Sequence, residues 1–154
     1  MGTGSTVLLR IEPDVVKQAR VHALPEDASA RQAAEVMAET GMGAIVILDS
    51  DEKFAGIVTD QDLVREVVAK GRNAEAVRLV SLANRRLECL APTDLALDAL
   101  DLMLLRNVDH LPVVVGERMV AVVSIGEICA ALRHSLDAEL RAHQAAVFGN
   151  LLRD

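Results

Sequence analysis

Hydrophobic and polar positions follow the same order twice along this chain. In each half, a short apolar stretch is followed by a polar helix start, an amphipathic helix, an apolar strand, a turn, a second strand and another helix. In the first half, Ala33, Val36 and Met37 fall on one helical face, and residues 44–48 form an unbroken apolar run typical of a strand buried on both sides. The pattern predicts a mixed α/β (α+β) chain.

The two halves align with each other at an offset of about 66 residues, which identifies an internal repeat. Met37 lies over Met103, and after a one-residue deletion near Gly116, residues 56–63 lie over residues 121–128. A single copy is too small to bury its apolar sheet face. We therefore predict two β-α-β-β-α repeats packed sheet to sheet about a pseudo-twofold axis.

The same pattern divides the chain into four segments. We predict an N-terminal segment at 1–13, a first repeat at 14–73, a second repeat at 79–134 and a C-terminal amphipathic helix at 135–154. Apolar residues recur in the last segment at spacings of four or seven, at Leu136, Leu140, Val147 and Leu151. Such a stripe is expected to be buried against the flank of the module or against a second subunit.

Composition excludes several partners and compartments. The formal charge is −7 and the chain has no Trp or Tyr, so it lacks the basic stripe and the stacking platforms that nucleic-acid binding requires. No apolar run is long enough to cross a membrane, and the first residues do not resemble a signal peptide, so we expect a cytoplasmic protein. In that compartment Cys89 and Cys129 are expected to be reduced and buried.

Neither a catalytic motif nor a metal-binding motif is present in the sequence. It contains no phosphate-binding loop and no nucleophile elbow, and its two cysteines do not have ligand spacing. The four histidines show no i,i+4 pairing; they are His22, His110, His134 and His143. We therefore expect no metal, no cofactor and no enzyme activity.

At this point the residues resemble a known family, the CBS (cystathionine β-synthase) domain, whose tandem pairs are called Bateman modules. The resemblance covers roughly residues 14–134. It rests on the repeat together with three short motifs: Gly56-Ile57-Val58-Thr59-Asp60-Gln61-Asp62-Leu63, His110-Leu111-Pro112-Val113-Val114 and Val122-Val123-Ser124-Ile125-Gly126-Glu127.

The resemblance implies a cleft between the repeats that binds an adenosine-containing ligand such as AMP, ADP, ATP or S-adenosylmethionine. It implies that Asp62 accepts hydrogen bonds from the ribose hydroxyls, that Thr59 lies near a phosphate, and that aliphatic residues enclose the adenine. The ligand-binding residues implied are Thr59, Asp62, Ile57, Gln61, Val21, Ala23, Ala44, Ile45, His110, Ser124 and Glu127.

Structural explanations exist for the same residues. Thr-x-x-Asp and Ser-x-x-Glu are also helix-capping signatures that need no ligand, and His110 is equally compatible with a histidine hydrogen-bonded within the fold. In the second copy Glu127 stands in place of the aspartate, so we expect the Ser124/Glu127 site to be weak or vacant. Asp109 is expected to repel a polyphosphate, which favours AMP or S-adenosylmethionine over ATP.

Two classes of function follow from the resemblance. The first is a stand-alone regulatory module that senses an adenosine-containing ligand and acts on a protein partner that the sequence does not identify. The alternative is a ligand-free dimerisation or scaffold protein that kept the fold. In both cases the resemblance implies a homodimer, because CBS pairs commonly associate through their helices.

Overall fold

The structure, a computed structural model, describes residues 5–17 and 21–153. The first half contains β1 (Ala23–Pro25), α1 (Ala30–Thr40), β2 (Ala44–Leu48), β3 (Phe54–Thr59) and α2 (Asp60–Leu63), which continues as a π-helical turn (Val64–Val68). The second half contains α3 (Ala96–Arg106), β4 (His110–Val115), β5 (Arg118–Ser124) and α4 (Ile125–Leu151). Short helical turns lie at Thr6–Leu8, Ile11–Val15 and Leu79–Ser81.

The two halves share their local geometry as well as their element order. Helix α1 ends at Gly41 and helix α3 at Asn107, both in the left-handed conformation that commonly closes a helix. Each β-hairpin has an irregularity of register, which follows Ile47 in the first half and Val113 in the second. Both pairs of positions are 66 residues apart (107 − 41 and 113 − 47). The predicted α/β fold with two repeats is confirmed.

Each repeat contains a small sheet. β1 pairs in parallel with β2, which pairs antiparallel with β3, and β4 pairs antiparallel with β5. The leading strands are shorter than the sequence predicts: β1 begins at Ala23 and not at Val21, and residues 87–91 contribute only one parallel bridge, from Leu90 to Val113. The second sheet is therefore mainly a hairpin.

The two sheets pack face to face through one side of each hairpin. In β2, Ile45 and Ile47 lie in the core beneath α1, while the alternate residues point the other way, as the period of two in a strand requires. This second face forms an apolar cluster between the repeats: Ala44, Val46 and Ile57 from the first, with Leu87, Met119 and Val122 from the second. The predicted sheet-to-sheet packing is confirmed.

Each repeat is completed by the segment that precedes the other repeat in the sequence. Ile11 is fully buried in the core of the second repeat, and Val77 is buried in the core of the first. The same segments cover the helix starts: the Ala96 N–H donates to the Leu9 carbonyl oxygen at 2.8 Å, and the Ala30 N–H donates to that of Val77 at 2.9 Å. The two repeats are therefore interlocked.

The last helix is continuous through residues 134 and 135, where the sequence suggested a new segment. α4 is 27 residues long. Its first turns bury Ile128 and Leu132 in the second core, and Ser135 and Glu139 accept hydrogen bonds from Thr6. From residue 140 to residue 153 every side chain is exposed. The large apolar residues of α4 that are exposed are Leu136, Leu140, Val147, Phe148 and Leu151.

The prediction that both cysteines are buried is wrong. Cys89 and Cys129 are free thiols exposed at the surface. In each case the adjacent residue takes the core position, Leu90 beside Cys89 and Ile128 beside Cys129. Apolar neighbours in sequence therefore indicated a nearby core but not the direction of the cysteine side chain.

Within residues 5–17 and 21–153, no helix combines the length and the apolar character that crossing a bilayer requires.

Replacing Ile11 with alanine is expected to lower the free energy of unfolding by about 2–5 kcal/mol, because it leaves a cavity in the second core. The matched control is Leu8→Ala in the same segment, since Leu8 is 63% exposed and its loss should change stability by less than about 0.5 kcal/mol. Urea unfolding of both variants measures the difference. Equal effects would show that the N-terminal segment does not complete the second repeat.

Candidate functional site

Thr59 and Asp62 lie where β3 passes into α2, and their first role is to begin that helix. The Asp62 N–H donates to Thr59 Oγ1 at 3.2 Å, and the Thr59 N–H donates to Asp62 Oδ2 at 2.9 Å. This reciprocal pair is a capping box. Among the described residues, the second carboxylate oxygen of Asp62 accepts no hydrogen bond, so capping leaves it available.

Asp62 lines a cavity of about 80 Å³ between the two repeats. One of its walls is the linker, by which we mean residues 74–87: the segment after the first repeat together with the start of the second. The first repeat contributes Ile57, Thr59, Gln61, Asp62 and Arg65, the linker contributes Asn84 and Leu87, and the second repeat contributes Asn107, Val108, Asp109 and His110. Of the residues predicted from the sequence, the structure brings five together here: Ile57, Thr59, Gln61, Asp62 and His110.

The two predicted wall residues of β2, Ala44 and Ile45, point to opposite faces of the sheet because strand positions alternate. Ala44 belongs to the apolar cluster between the sheets and contacts the same cluster as Ile57. Ile45 points to the opposite side and lies fully buried beneath α1, so its side chain does not reach the cleft. That Ala44 and Ile45 enclose a ligand stays a prediction, and of the two only Ala44 lies on the same face as Ile57.

Val21 and Ala23 do not line the Asp62 cavity either. They line a separate, open groove of about 760 Å³ beside Val46, Leu48 and the two hairpin turns. Their counterpart in the repeat alignment, the segment around Leu87, takes the expected place beside Asp62. Beside Asp62 the cleft is therefore bordered by the leading segment of the second repeat. That Val21 and Ala23 contact a ligand together with Asp62 stays a prediction.

The linker reaches the Asp62 cavity because it approaches β3 closely. Ile57 and Asn84 exchange two backbone hydrogen bonds, of 3.2 and 3.0 Å. Gly56 makes the approach possible: its φ is +152°, and a Cβ there would lie 2.8 Å from Cβ of Ala83. Ala121 stands at the corresponding position of the second repeat.

Ser124 and Glu127 form the corresponding cap of α4 but lie apart from the Asp62 cavity. The Glu127 N–H donates to Ser124 Oγ and the Ser124 N–H donates to Glu127 Oε2, both at 3.1 Å. Glu127 is exposed and lines a groove of about 610 Å³ between α4 and the N-terminal segment, with Lys17 and His134 among its other lining residues.

The charge around His110 is negative. Burial lowers the pKa of His110, and the nearby carboxylates of Asp60, Asp109, Glu127 and Asp62 oppose this shift without reversing it. The imidazole is therefore predominantly neutral at pH 7. It does not supply the positive charge that a polyphosphate would need.

The imidazole of His110 lies at an edge of the cleft where the two repeats meet. A Cβ on Gly43 would lie 3.0 Å from Cε1 of His110, so the ring lies close against the glycine backbone. Across the same edge of the cleft, the Gln61 side-chain amide donates to Asp109 Oδ2 and joins the first repeat to the second.

Six residues that line the cavity are not among the predicted ligand-binding residues: Arg65, Asn84, Leu87, Asn107, Val108 and Asp109. Asp109 is nevertheless expected from the sequence to repel a polyphosphate at this site. Arg65 follows Asp62 by three residues, which places both on one side of a helix, so the sequence carried a usable signal. Asn84 and Leu87 reach the cavity only because the linker crosses to β3, and no local pattern predicts that. In the described part of the chain, no three His, Cys, Asp or Glu side chains are grouped closely enough to hold a metal ion.

Comparison with known sequences agrees with this geometry. The sequence profile of the CBS domain matches residues 14–69 and 79–134. The chain belongs to the CBS domain family. It carries two such domains in tandem, in a family that includes regulatory and signal-transduction proteins.

Relatives and solved structures extend the match over most of the chain. The CBS domain-containing protein CBSX3, mitochondrial, of Arabidopsis thaliana is 28% identical over 127 residues, which cover 80% of this chain and 62% of CBSX3. Arabinose 5-phosphate isomerase of Yersinia pestis is 30% identical over 128 residues, which cover 83% of this chain and 39% of the isomerase. The chain thus spans less than two thirds of either protein.

Among solved structures, a proposed signal-transduction protein with CBS domains from Burkholderia ambifaria is 28% identical. Its TM-score is 0.71, with 79% of this chain and 87% of that chain covered. The CBS-domain protein ATU1752 of Agrobacterium tumefaciens has a TM-score of 0.75 at 21% identity, with 85% and 97% covered. A hexameric CBS-CP12 protein from cyanobacteria has a TM-score of 0.66 at 20% identity, with 73% and 65% covered. The last two likenesses concern the fold.

Stability should respond to pH through His110. Because folding lowers the pKa of His110, the unfolded chain binds more protons than the folded chain as pH falls below about 6.5, so protonation destabilises the fold there. We expect the melting temperature of the natural protein to fall more steeply between pH 7.5 and 5.5 than that of His110→Gln. Comparing the two proteins cancels the titration of the groups that they share.

The matched control for this experiment is His134→Gln, which removes an exposed histidine of α4. Its melting profile should parallel that of the natural protein. A His110→Gln profile that also runs parallel would show that His110 is not the group whose protonation destabilises the fold.

Proposed function

We propose that this tandem CBS module is a non-catalytic sensor that binds an adenosine-containing ligand of low net charge in the Asp62 cavity. The observation that carries the proposal is the position of Asp62, which lines a cavity shared by both repeats and keeps one carboxylate oxygen without a protein partner among the described residues. Vicinal ribose hydroxyls offer two donors, and a carboxylate is well suited to accept both.

The other cavity walls fit the remaining parts of such a ligand. Ile57, Leu87 and Val108 provide aliphatic surface for a flat, weakly polar ring. The Thr59 hydroxyl lies at the start of α2, where backbone N–H groups favour an anionic group. The neutral His110 and the neighbouring carboxylates favour a ligand such as AMP or S-adenosylmethionine over ATP.

The size of the cavity makes ligand binding a conformational event. Its volume is about 80 Å³, whereas ligand sites are typically ~300–1,000 Å³. A ligand must therefore separate the repeats at this edge, where the hydrogen bond from Gln61 to Asp109 joins them. Breaking this hydrogen bond would change the arrangement of the two repeats. A partner protein that contacts both repeats could then distinguish the ligand-bound module from the ligand-free one.

We expect the Ser124/Glu127 position to bind the same ligand weakly or not at all. Glu127 is exposed, and its groove is formed with the N-terminal segment and α4 and not between the two sheets. The longer glutamate side chain also displaces its carboxylate relative to that of an aspartate.

The substitution Asp62→Asn tests the proposal without removing the helix cap. The asparagine oxygen can still accept from the Thr59 N–H, but the side chain no longer offers a second acceptor to the ribose. We expect the variant to melt within a few degrees of the natural protein and to lose at least about tenfold in affinity for its adenosine-containing ligand. Isothermal titration with AMP, ADP, ATP and S-adenosylmethionine measures this.

Glu127→Gln is the matched control, because it makes the same chemical change at the corresponding cap of the second repeat. It should leave affinity unchanged. If Asp62→Asn binds every ligand as the natural protein does, or if the natural protein binds none of them, the sensor proposal is wrong.

A second candidate function, assembly into a homodimer, is favoured by the exposed stripe on α4. From residue 140 to residue 153 every residue is exposed. A helical extension of about this length is marginally stable in water, so a partner that covers its apolar side would stabilise it. We propose that the stripe of Leu136, Leu140, Val147 and Leu151 pairs with the same stripe of a second copy, whether or not a ligand is bound.

Replacing Leu140 and Val147 together with glutamate should convert the dimer to a monomer, since it places charges on the proposed contact surface. Ala142→Glu is the control: it adds charge to the same helix about 200° away from Leu140 and should leave a dimer. Light scattering distinguishes the species. A dimer that persists in the double variant would exclude α4 from the subunit contact.

A further inference from the structure

The exposed stripe of α4 is symmetric about its own midpoint. Leu136 and Leu151 form its ends, Leu140 and Val147 lie between them, and the spacing is four residues at each end (140 − 136 and 151 − 147). The stripe therefore presents large apolar residues at the same positions when it is read in either direction. Such a surface is self-complementary about a two-fold axis, so an antiparallel second copy of α4 brings Leu136 level with the partner's Leu151 and Leu140 level with the partner's Val147.

Electrostatics favour this antiparallel arrangement over a parallel one. Antiparallel helices place the positive end of each macrodipole beside the negative end of the other. Arg133 is exposed and lies one turn before Leu136, so it reaches the C-terminal end of the partner's helix, where unpaired backbone carbonyl groups favour a cation. In a parallel pair Arg133 would instead face the partner's Arg133.

A histidine lies at the midpoint of the stripe. His143 follows Leu140 by three residues and precedes Val147 by four, which places it on the same side of the helix as both. In the antiparallel pair the two-fold axis passes between residues 143 and 144. Each His143 then lies on the same flank of the contact as the partner's His143 and one residue from it along the helix axis, about 1.5 Å. Two histidines are therefore neighbours at the centre of the contact.

Few other charged groups bear on these two histidines. Glu139 lies one turn before His143 on the same helix and accepts a hydrogen bond from the Thr6 hydroxyl, and it holds that place in the separate chain and in the pair alike. The partner's Glu139 lies about 7.5 Å farther along the contact. In either copy, Asp137 and Arg141 lie about 120° and about 160° around the helix from His143. Because His143 is exposed in the single chain, pairing changes its surroundings mainly by excluding water and adding the second histidine.

We propose that α4 pairs antiparallel with a second copy of this chain and that His143, at the centre of the contact, makes the pairing sensitive to pH. This inference rests on the proposed homodimer and adds its geometry and its regulation. Neutral imidazoles fit between the apolar layers, whereas two protonated ones repel each other where water is excluded. The pair therefore binds protons less readily than the separate chains do, and it dissociates as pH falls through the range near 6.5 in which histidine gains its charge.

Light scattering over a range of protein concentrations gives the dissociation constant of the dimer at pH 7.5 and at pH 5.5. For the natural protein we expect the constant to rise by at least about tenfold at the lower pH. His143→Leu should abolish this rise and tighten the dimer, whereas His143→Lys, whose charge is permanent, should weaken the dimer at both pH values. Circular dichroism verifies that the chains stay folded, since protonation of His110 also lowers stability.

His134→Gln is the matched control. His134 is an exposed histidine of the same helix, nine residues before His143 (143 − 134), which places it about 180° away from the contact. The rise in the dissociation constant should survive in this variant. A natural dimer whose dissociation constant does not depend on pH, or an equal loss of the pH dependence in His134→Gln and His143→Leu, would overturn the role of His143.

Cysteine crosslinking tests the antiparallel order separately, in a chain that carries Cys89→Ser and Cys129→Ser because both thiols are exposed. Gln144→Cys lies next to the two-fold axis and should form a disulfide with its own copy. Leu140→Cys should not, since its copy lies seven residues away along the contact (147 − 140), about 10 Å, but it should crosslink to Val147→Cys when the two proteins are mixed. Self-crosslinking of Leu140→Cys would indicate a parallel pair and contradict the inference.

The outcomes separate this inference from the homodimer on which it rests. If the natural protein is a monomer at pH 7.5, both are wrong. If it is a dimer that the double glutamate substitution at Leu140 and Val147 converts to a monomer, while the pH dependence survives in His143→Leu, only the inference about His143 is wrong.

Discussion

The fold depends on one constraint: each small sheet has an apolar face that only the other repeat covers. The cluster formed by Ala44, Val46 and Ile57 with Met119 and Val122 satisfies it. Because β3 contributes Ile57 to this shared face and then ends at Thr59, the start of α2 must lie at the border between the repeats. The candidate site is thus a direct consequence of how the two sheets bury their apolar surface.

The interlocking of the repeats determines which residues surround that site. The linker crosses to pair with β3 at Ile57, and it carries Asn84 and Leu87 to the cavity. Gly56 is the local requirement for this contact, since any side chain there would meet Ala83. The same crossing completes the first core with Val77, so stability and site geometry depend on one segment.

The sequence predicts the features that occur in both repeats. It does not predict those that depend on a segment crossing from one repeat to the other. The offset of about 66 residues, the helices, the hairpins and the caps at Thr59 and Ser124 are all local patterns that appear twice. The crossing of the linker to β3 is not local, so no pattern in the sequence predicts that Asn84 and Leu87 line the cavity with Asp62. Only tertiary contacts reveal it.

Helix capping and ligand binding are not competing explanations of Asp62. The cap uses one carboxylate oxygen and, in doing so, fixes the orientation of the other, so the group is held in place before any ligand arrives. What distinguishes Asp62 from Glu127, which caps α4 in the same way, is the surrounding structure: one carboxylate lines a cavity between the repeats, and the other lies exposed beside the N-terminal segment. The asymmetry between the two halves of the molecule therefore comes from the crossing segments as well as from the longer side chain at position 127.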